Sequence, residues 1–373
     1  MRFVALACSA LLLLAACGQN TDTPPSSDAV PVQPIAVAAA DQLTGLDAPA
    51  TGIAFWTHPN VAFNSLMIVA GENGVASFNI EDGNEVSRIP GFNADGAAIG
   101  YIGFGPQARG LLAYFDANAG AMKIHEIDNA ARSFKPVTGD IPIRGAVRGF
   151  CFGRAVDAEG PTLVVLQKGE LTRYAFRLEN ATLTAKASVS ETAPDDIISC
   201  AIDGEDGAVF IARENGAVHR IGADGHGALF ASAAAEQPGD LAVLLSEVTT
   251  NETSSVNGQV ILLDKSNGAM HAFNRDDGAP LGAVTVGEAF EIEAVNSADV
   301  MGVAGANLGA LYRNGAIALG LTGDAGAGVI RLIPANGLIN ALGTADGTPL
   351  SPRGSMPQSD DDGLLIRTNI QPE

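Results

Sequence analysis

Basic residues are scarce in this 373-residue chain: 21 Lys and Arg stand against 42 Asp and Glu, a formal charge of −21. That balance argues against nucleic acid as a partner, because a polyanion is held by a basic footprint. A highly anionic small substrate would also be repelled unless a local basic patch or bound cations reversed the sign. Several enzyme signatures are missing too. There is no G-x-S-x-G elbow, no G-x-x-x-x-G-K-[ST] phosphate loop and no H-E-x-x-H metal helix. The five histidines, His58, His125, His219, His226 and His271, are scattered without metal-ligand spacing. No long charged amphipathic stretch is present, and the apolar run from Phe3 to Leu14 falls short of the ~20 residues a membrane-spanning helix needs.

That short run, after Met1-Arg2 and before Leu14-Ala15-Ala16-Cys17, reads as a secretory signal over residues 1–16 ending in a lipobox-like site. Cys17 would then be the lipidated N-terminus; the plainer alternative is an ordinary signal peptide with an incidental cysteine. Gly18 follows, without the Asp that typically retains such proteins at the inner membrane, so an exported outer-membrane lipoprotein is expected. Its membrane contact would be through the lipid anchor alone. Residues 17–46 are rich in Pro, Ser, Thr, Asp and Ala and read as a flexible tether. Cys151 and Cys200 occupy similar places before Gly169 and Gly216, and an exported chain allows a disulfide between them. Two buried thiols acting as small hydrophobes would explain them equally.

What is abundant is a repeated unit: an apolar run, a small polar turn ending in Gly, and a second apolar run. The turn glycines are Gly74, Gly120, Gly169, Gly216, Gly268 and Gly315, spaced by 46, 49, 47, 52 and 47 residues. Asn-Gly between apolar runs is a hairpin signal, because both residues tolerate positive φ. A period of that length with strands at both ends predicts an all-β, six-bladed β-propeller with four antiparallel strands per blade, spanning residues 47–340. Candidate innermost strands precede the hairpins at Ile53–Trp56, Ala97–Ile102, Gly149–Phe152, Ile197–Ile202, Leu241–Leu245 and Ile292–Val295. Fourth strands follow turns such as Asp82-Gly83, Asp224-Gly225 and Asp277-Gly278. A strand near residues 42–56 is expected to close the ring against the last blade. Residues 341–373 read as an irregular tail, with Asp360-Asp361-Asp362 as a solvated acidic run. A monomer is expected.

In a propeller, loops from every blade converge on the axial mouth, so distant residues can form one site. Glu72, Asp116, Lys168, Arg213, Glu214, Lys265 and Arg313 stand beside the repeated turns. Such a mixed ring could hold phosphate through Arg and Lys, or calcium through carboxylates and carbonyls. Each residue could equally decorate a solvated turn.

Three pieces in order resemble the bacterial β-propeller phytases. Ala54-Phe55-Trp56-Thr57-His58-Pro59 is similar to that family's D-D-P-A-I-W-x-H-P opening, and Arg148-Gly149-Phe150 to its Y-G-F. Ala201–Gly207 followed by Ile211-Ala212-Arg213-Glu214 is similar to its A-A-D-D-E-x-G-x-L-Y-I-A-E-E. The resemblance implies six blades and calcium-dependent phosphate release from inositol phosphates. It implies Asp203, Glu205, Glu214 and Glu291 as metal ligands, Arg148 and Lys168 as catalytic groups on phosphate, and Arg213, Lys265 and Asn267 as substrate contacts. The family's paired aspartates fall on Thr51 and Gly52, and its other acids on Ile198 and Ala242, while Asp240 is kept. Removing those carboxylates leaves fewer oxygens than calcium takes. The resemblance therefore accommodates two functions: an inositol-phosphate hydrolase, or a non-catalytic propeller that presents its axial face to a ligand or protein partner.

Overall fold

The structure, a computed structural model, describes residues 33–354 apart from Ala181, Ala223, Asp224, His226, Asn251, Glu252, Ala345 and Asp346. The signal segment, Cys17, most of the tether and the Asp360–Asp362 run lie outside the described residues.

Six sheets follow one another along the chain. Blade one comprises Gly52–Trp56, Leu66–Gly71, Gly74–Asn79 and Glu85–Ile89, paired in that order and antiparallel. Blade two comprises Ala94–Ile102, Arg109–Asp116 and Ala121–Ile127, with two short outer pieces, Phe134–Pro136 and Ile141–Pro142, on its third strand. Blades three and four begin at Val147–Gly153 and Ile197–Ile202, blade five at Pro238–Thr250 and blade six at Val300–Ala304. These six innermost strands touch in a closed cycle, the last returning to the first. That cycle makes the fold a six-bladed propeller.

The apolar runs are continuous because each blade is covered on both faces, and side chains alternate between them. Along Leu66–Gly71, Met67 and Val69 pack toward blade six, whereas Leu66, Ile68 and Ala70 pack toward blade two. In Arg109–Asp116, Leu112 and Tyr114 face blade one and Leu111 and Ala113 face blade three. The hydrophobic core is accordingly divided into one cluster between each pair of neighbouring blades. Glycine serves close approach at the hub: a Cβ on Gly149 would lie 2.8 Å from the Ile198 carbonyl oxygen, and one on Gly302 2.7 Å from that of Ile53.

Closure uses residues assigned from the sequence to the tether. Asp41–Leu46 forms the outermost strand of blade six, antiparallel to Gly328–Pro334, and Ile35–Ala38 adds a parallel strand to the outer edge of blade five. Leu43 and Ala39 are buried there. The tether therefore ends near residue 34 rather than 46, because Asp41–Leu46 pairs along Gly328–Pro334 and Leu43 packs into the core between blades six and one. The ring is closed by this early strand, as expected, but it is shorter than the 42–56 segment foreseen.

The sixth unit departs from its reading. Ile292–Val295 forms only an isolated bridge, Ala289 to Ile292, and the true innermost strand is Val300–Ala304. Leu311 and Tyr312 sit in a 3₁₀ turn, Ala310–Tyr312. Gly315, at φ 104°, leads into the second strand, Ala316–Thr322, instead of joining second to third as its five counterparts do. A Cβ there would lie 2.0 Å from the Ala304 carbonyl oxygen, so a tight turn demanded glycine in a different connection of the blade.

The tail is also part of the fold as far as Gly354. A short helix, Ala335–Ala341, buries Ala335, Leu338 and Ile339 between blades five and six. Thr348–Pro349 then pairs with the innermost strand of blade five, Ser246 opposite Pro349. Beyond it Arg353 is buried: Nε and Nη2 donate to the Thr57 carbonyl at 3.0 and 2.6 Å, and Nη1 donates to the Ala108 carbonyl at 2.5 Å. Its guanidinium lies 4.8 Å from the Tyr101 ring centre and 5.5 Å from that of Trp56. Arg154 holds the Arg353 carbonyl in turn. Cys151 and Cys200 are joined by a disulfide, with Cα atoms 5.6 Å apart, which staples the innermost strands of blades three and four.

The axial cavity as candidate functional site

Strand alternation sorts the loops onto two ends of the ring. The start of every innermost strand, the turn between second and third strands, and the link from the preceding blade share one end, here termed the turn face. The connections from first to second strand lie at the far end. Between them runs an axial cavity of about 610 Å³ walled by the innermost strands. Leu350, Ser351, Pro352 and Gly354 line it at the far end, so the C-terminal segment held by Arg353 forms part of its floor.

At the turn face the cavity wall carries Thr51, Asp95, Arg148, Ser199, Asp240 and Lys265. Three of these tie one innermost strand to the next. Thr51 Oγ1 donates to the Ala94 carbonyl at 2.7 Å, Ser199 Oγ accepts the Leu241 N–H at 3.0 Å, and Asp240 Oδ2 accepts the Met301 N–H at 2.7 Å. Lost hydration on the channel wall raises the pKa of both carboxyls above the ordinary value, that of Asp240 and that of the more exposed Asp95. The Met301 N–H and Lys265 pull Asp240 back, while the Asp95 charge raises it further; Lys265 also acts on Asp95. The Lys265 stem lies along the backbone of Gly239, where an added Cβ would meet its Cγ at 2.8 Å and its Cε at 2.9 Å.

The residues singled out from the sequence are distributed differently. Arg148 and Lys265 line the cavity, but Arg148 donates to Glu214 at 3.2 Å, an ion pair on the exposed rim. Lys168 stands 3.8 Å from Asp195 in solvent, and Arg213 binds Asp196 at 2.8 Å. Asn267 shapes its own turn, accepting the Ala269 N–H and donating to Asp264. Glu291 is exposed in the link between blades five and six, where it and Phe290 adopt positive φ. Among the other turn residues, Asp116 accepts the N–H groups of Asn118 and Ala119. Arg313 lies at the far end with its misplaced turn.

Asp203 and Glu205 follow the innermost strand of blade four and so lie at the far end, away from Glu214. Both are engaged by the buried Arg275 of blade five, at 2.6 and 2.5 Å, with Asp276 at 3.2 Å. Burial works against that guanidinium's charge, but the Asp203 hydrogen bond and the surrounding acids outweigh it and raise its pKa. A guanidinium thus stands beside two of the acids that the resemblance gave to calcium, and Asp203, Glu205, Glu214 and Glu291 do not share one metal site. Among the described residues no group of three or more His, Cys, Asp or Glu is arranged to hold a metal ion. Two histidines have structural roles: His58 Nδ1 accepts the N–H groups of Asn60 and Val61, and His125 stacks on Tyr114.

Sequence reasoning missed Asp95 as a site residue and treated Asp240 only as a remnant of a family motif. Their signal is a polar residue at the start of a Gly-flanked, apolar innermost strand, as in Ala94-Asp95-Gly96 and Gly239-Asp240-Leu241.

No protein-family model matches the chain, and no curated protein matches its sequence. Among solved structures it is similar to one titled "Structure of U3-55K", at 14% identity and a TM-score of 0.45, covering 79% of this chain and 81% of that one. It is similar to "Crystal structure of RRP9 WD40 repeats" at 14% identity and 0.45, covering 81% and 86%, and to Kluyveromyces lactis Hsv2 at 13% and 0.40, covering 73% and 71%.

Proposed function

We propose that this chain is a ligand-binding propeller whose axial cavity, entered from the turn face, holds a small polar molecule without turning it over. The observation that carries this reading is the cavity itself, about 610 Å³ in volume, with Asp95, Asp240 and Lys265 on its wall and Leu350, Ser351, Pro352 and Gly354 at its floor. That is the size and lining of a small-molecule site. The phytase-like alternative gains less support. Its chemistry relies on cations that neutralise phosphate and activate water. The acids implied for that role are divided between two ends of the ring, and two of them are held by Arg275. Of the bases implied for the substrate, Arg148, Lys168 and Arg213 each stand beside a carboxylate, which leaves Lys265 alone for phosphate.

The test is an inorganic-phosphate assay on the full chain with phytate, with and without calcium, alongside calorimetry on the same samples. Phosphate release is expected to equal the buffer blank in both. Calcium-dependent release that a chelator abolishes would overturn the binding reading and restore the hydrolase.

A further inference from the structure

We infer that the turn-face mouth of the axial cavity is built for a dibasic α-amino acid, its α-ammonium on Asp240, its α-carboxylate on Lys265 and its side-chain cation on Asp95. This rests on the binding reading above and names the ligand class for the same cavity.

Some of the charges at this mouth are already spent on protein partners. Arg148 is committed to Glu214. Asp95 and Lys265 have no ion-pair partner within 4.0 Å among the described residues, and neither side chain is hydrogen-bonded there. Asp240 uses Oδ2 to accept the Met301 N–H, which leaves Oδ1 for a ligand. The three groups nevertheless act on one another electrostatically. They are neighbours around one opening, held too far apart to satisfy each other directly.

Their placement gives the ligand its pattern. Asp240 starts the innermost strand of blade five, and Lys265 follows the second strand of the same blade and lies along Gly239. An acid and a base side by side fit an ammonium and a carboxylate on one carbon. Asp95 starts the innermost strand of blade two, three places round a six-membered ring and therefore across the channel from blade five. A second cation at the end of a flexible chain would meet it. Two acids and one base call for two positive groups and one negative one, and arginine or lysine has that inventory. An inositol phosphate would set its charge against Asp95 and Asp240, and a neutral polyol would leave Lys265 without a counter-charge. The overall charge of −21 also favours the approach of a net cation.

The experiment is isothermal calorimetry on the full chain with L-arginine, L-lysine, L-alanine, L-glutamate, putrescine and phytate as probes. Arginine and lysine should bind about tenfold or more tighter than alanine, the difference expected of one charge-assisted contact. Asp95→Asn should bring arginine down to the alanine level while leaving alanine unchanged. Lys265→Gln should weaken all three of these amino acids and leave putrescine less affected. Melting temperatures confirm that each variant is folded, and Asp95→Ser replaces Asp95→Asn if the latter is not. Arginine binding no tighter than alanine, an arginine-to-alanine ratio unmoved by Asp95→Asn, or silence from all six probes would overturn the inference. Phytate or glutamate binding that Lys265→Gln abolishes would overturn it and leave the cavity's binding role standing. Calcium-dependent phosphate release would remove both.

Discussion

Reducing the Cys151–Cys200 bond isolates the contribution of a single covalent staple in a ring otherwise closed by hydrogen bonds. The two cysteines are 49 residues apart in sequence and sit in adjacent innermost strands. Cross-linking them removes loop-closure entropy from the unfolded chain, and for a loop of that length the chain-entropy relation gives about 4 kcal/mol. Spread over the unfolding entropy of so large a domain, that corresponds to a fall in Tm of roughly 5–10 °C on reduction. The assay is thermal unfolding followed by circular dichroism, with and without a phosphine reductant. A thiol titration under denaturing conditions must show two more free thiols in the reduced sample. The double variant Cys151→Ala with Cys200→Ala should melt close to the reduced protein, lower by a further small amount because both sulfurs are buried against Val164, Leu166 and Ile211. A reduced protein with two extra thiols and an unchanged Tm would refute the reasoning. It would mean that the interface between blades three and four stays closed in the unfolding ensemble without the bond.

Three further outcomes follow from individual contacts. Arg353→Ala removes the donors to Thr57 and Ala108 and the cation over Trp56 and Tyr101. It should cost roughly 3 kcal/mol, and limited proteolysis should then cut after residue 342 faster than in the parent; an unchanged digestion pattern would show that the segment is held by other contacts. Asp203→Ala leaves the buried Arg275 without its shortest fully buried partner, with side-chain exposures of 7% for Arg275 and 0% for Asp203. Urea denaturation should report a loss of about 3–5 kcal/mol, whereas a loss below about 1 kcal/mol would place the pair with exposed ion pairs. Asp240→Asn concerns pH. Burial raises the folded-state pKa of Asp240 above its ordinary value of 3.8, so the folded state holds the proton more tightly than the unfolded one. That contribution to stability is complete below pH 3.8 and is lost as pH rises through the folded value. The Asn variant, still able to accept the Met301 N–H, should therefore be more stable than the parent at pH 7, with the gap closing as pH falls toward 3.8; a gap constant with pH would refute it.

Much of this architecture was legible because each blade is buried on both faces. That forces uninterrupted apolar second strands, such as Leu66–Gly71 and Thr162–Gln167, and such runs recur at one period. The sixth unit was misread for an equally physical reason. Its first-to-second connection is long and ends in a positive-φ glycine, Gly315, which mimics the hairpin turn at nearly the right spacing. The turn that does join second to third strand, residues 323–327, has Gly-Asp-Ala-Gly-Ala and no Asn-Gly. The edge strands of residues 35–46 were hidden by composition. An outermost strand buries little, as the exposure of Ile35 shows, so its residues look like those of a linker until a partner is known.

The site was harder to read, because charges in a propeller choose partners across blade boundaries. Arg148 and Glu214 are 66 residues apart, and Arg275 and Asp203 are 72 apart, yet each pair joins neighbouring blades at one end of the ring. A residue's offset within its repeat tells which end it occupies, and this was available from the sequence. Asp203 follows an innermost strand and Glu214 follows a second strand, so strand alternation alone puts them on opposite ends. A single ion therefore cannot be held by both, and a metal set drawn from them would have to serve separate ions. Asp95 and Asp240 satisfy the rule that this set breaks: both stand at the start of an innermost strand, in blades that face each other. In a closed ring of antiparallel blades, position within the repeat is a stronger guide to shared sites than similarity of local motif.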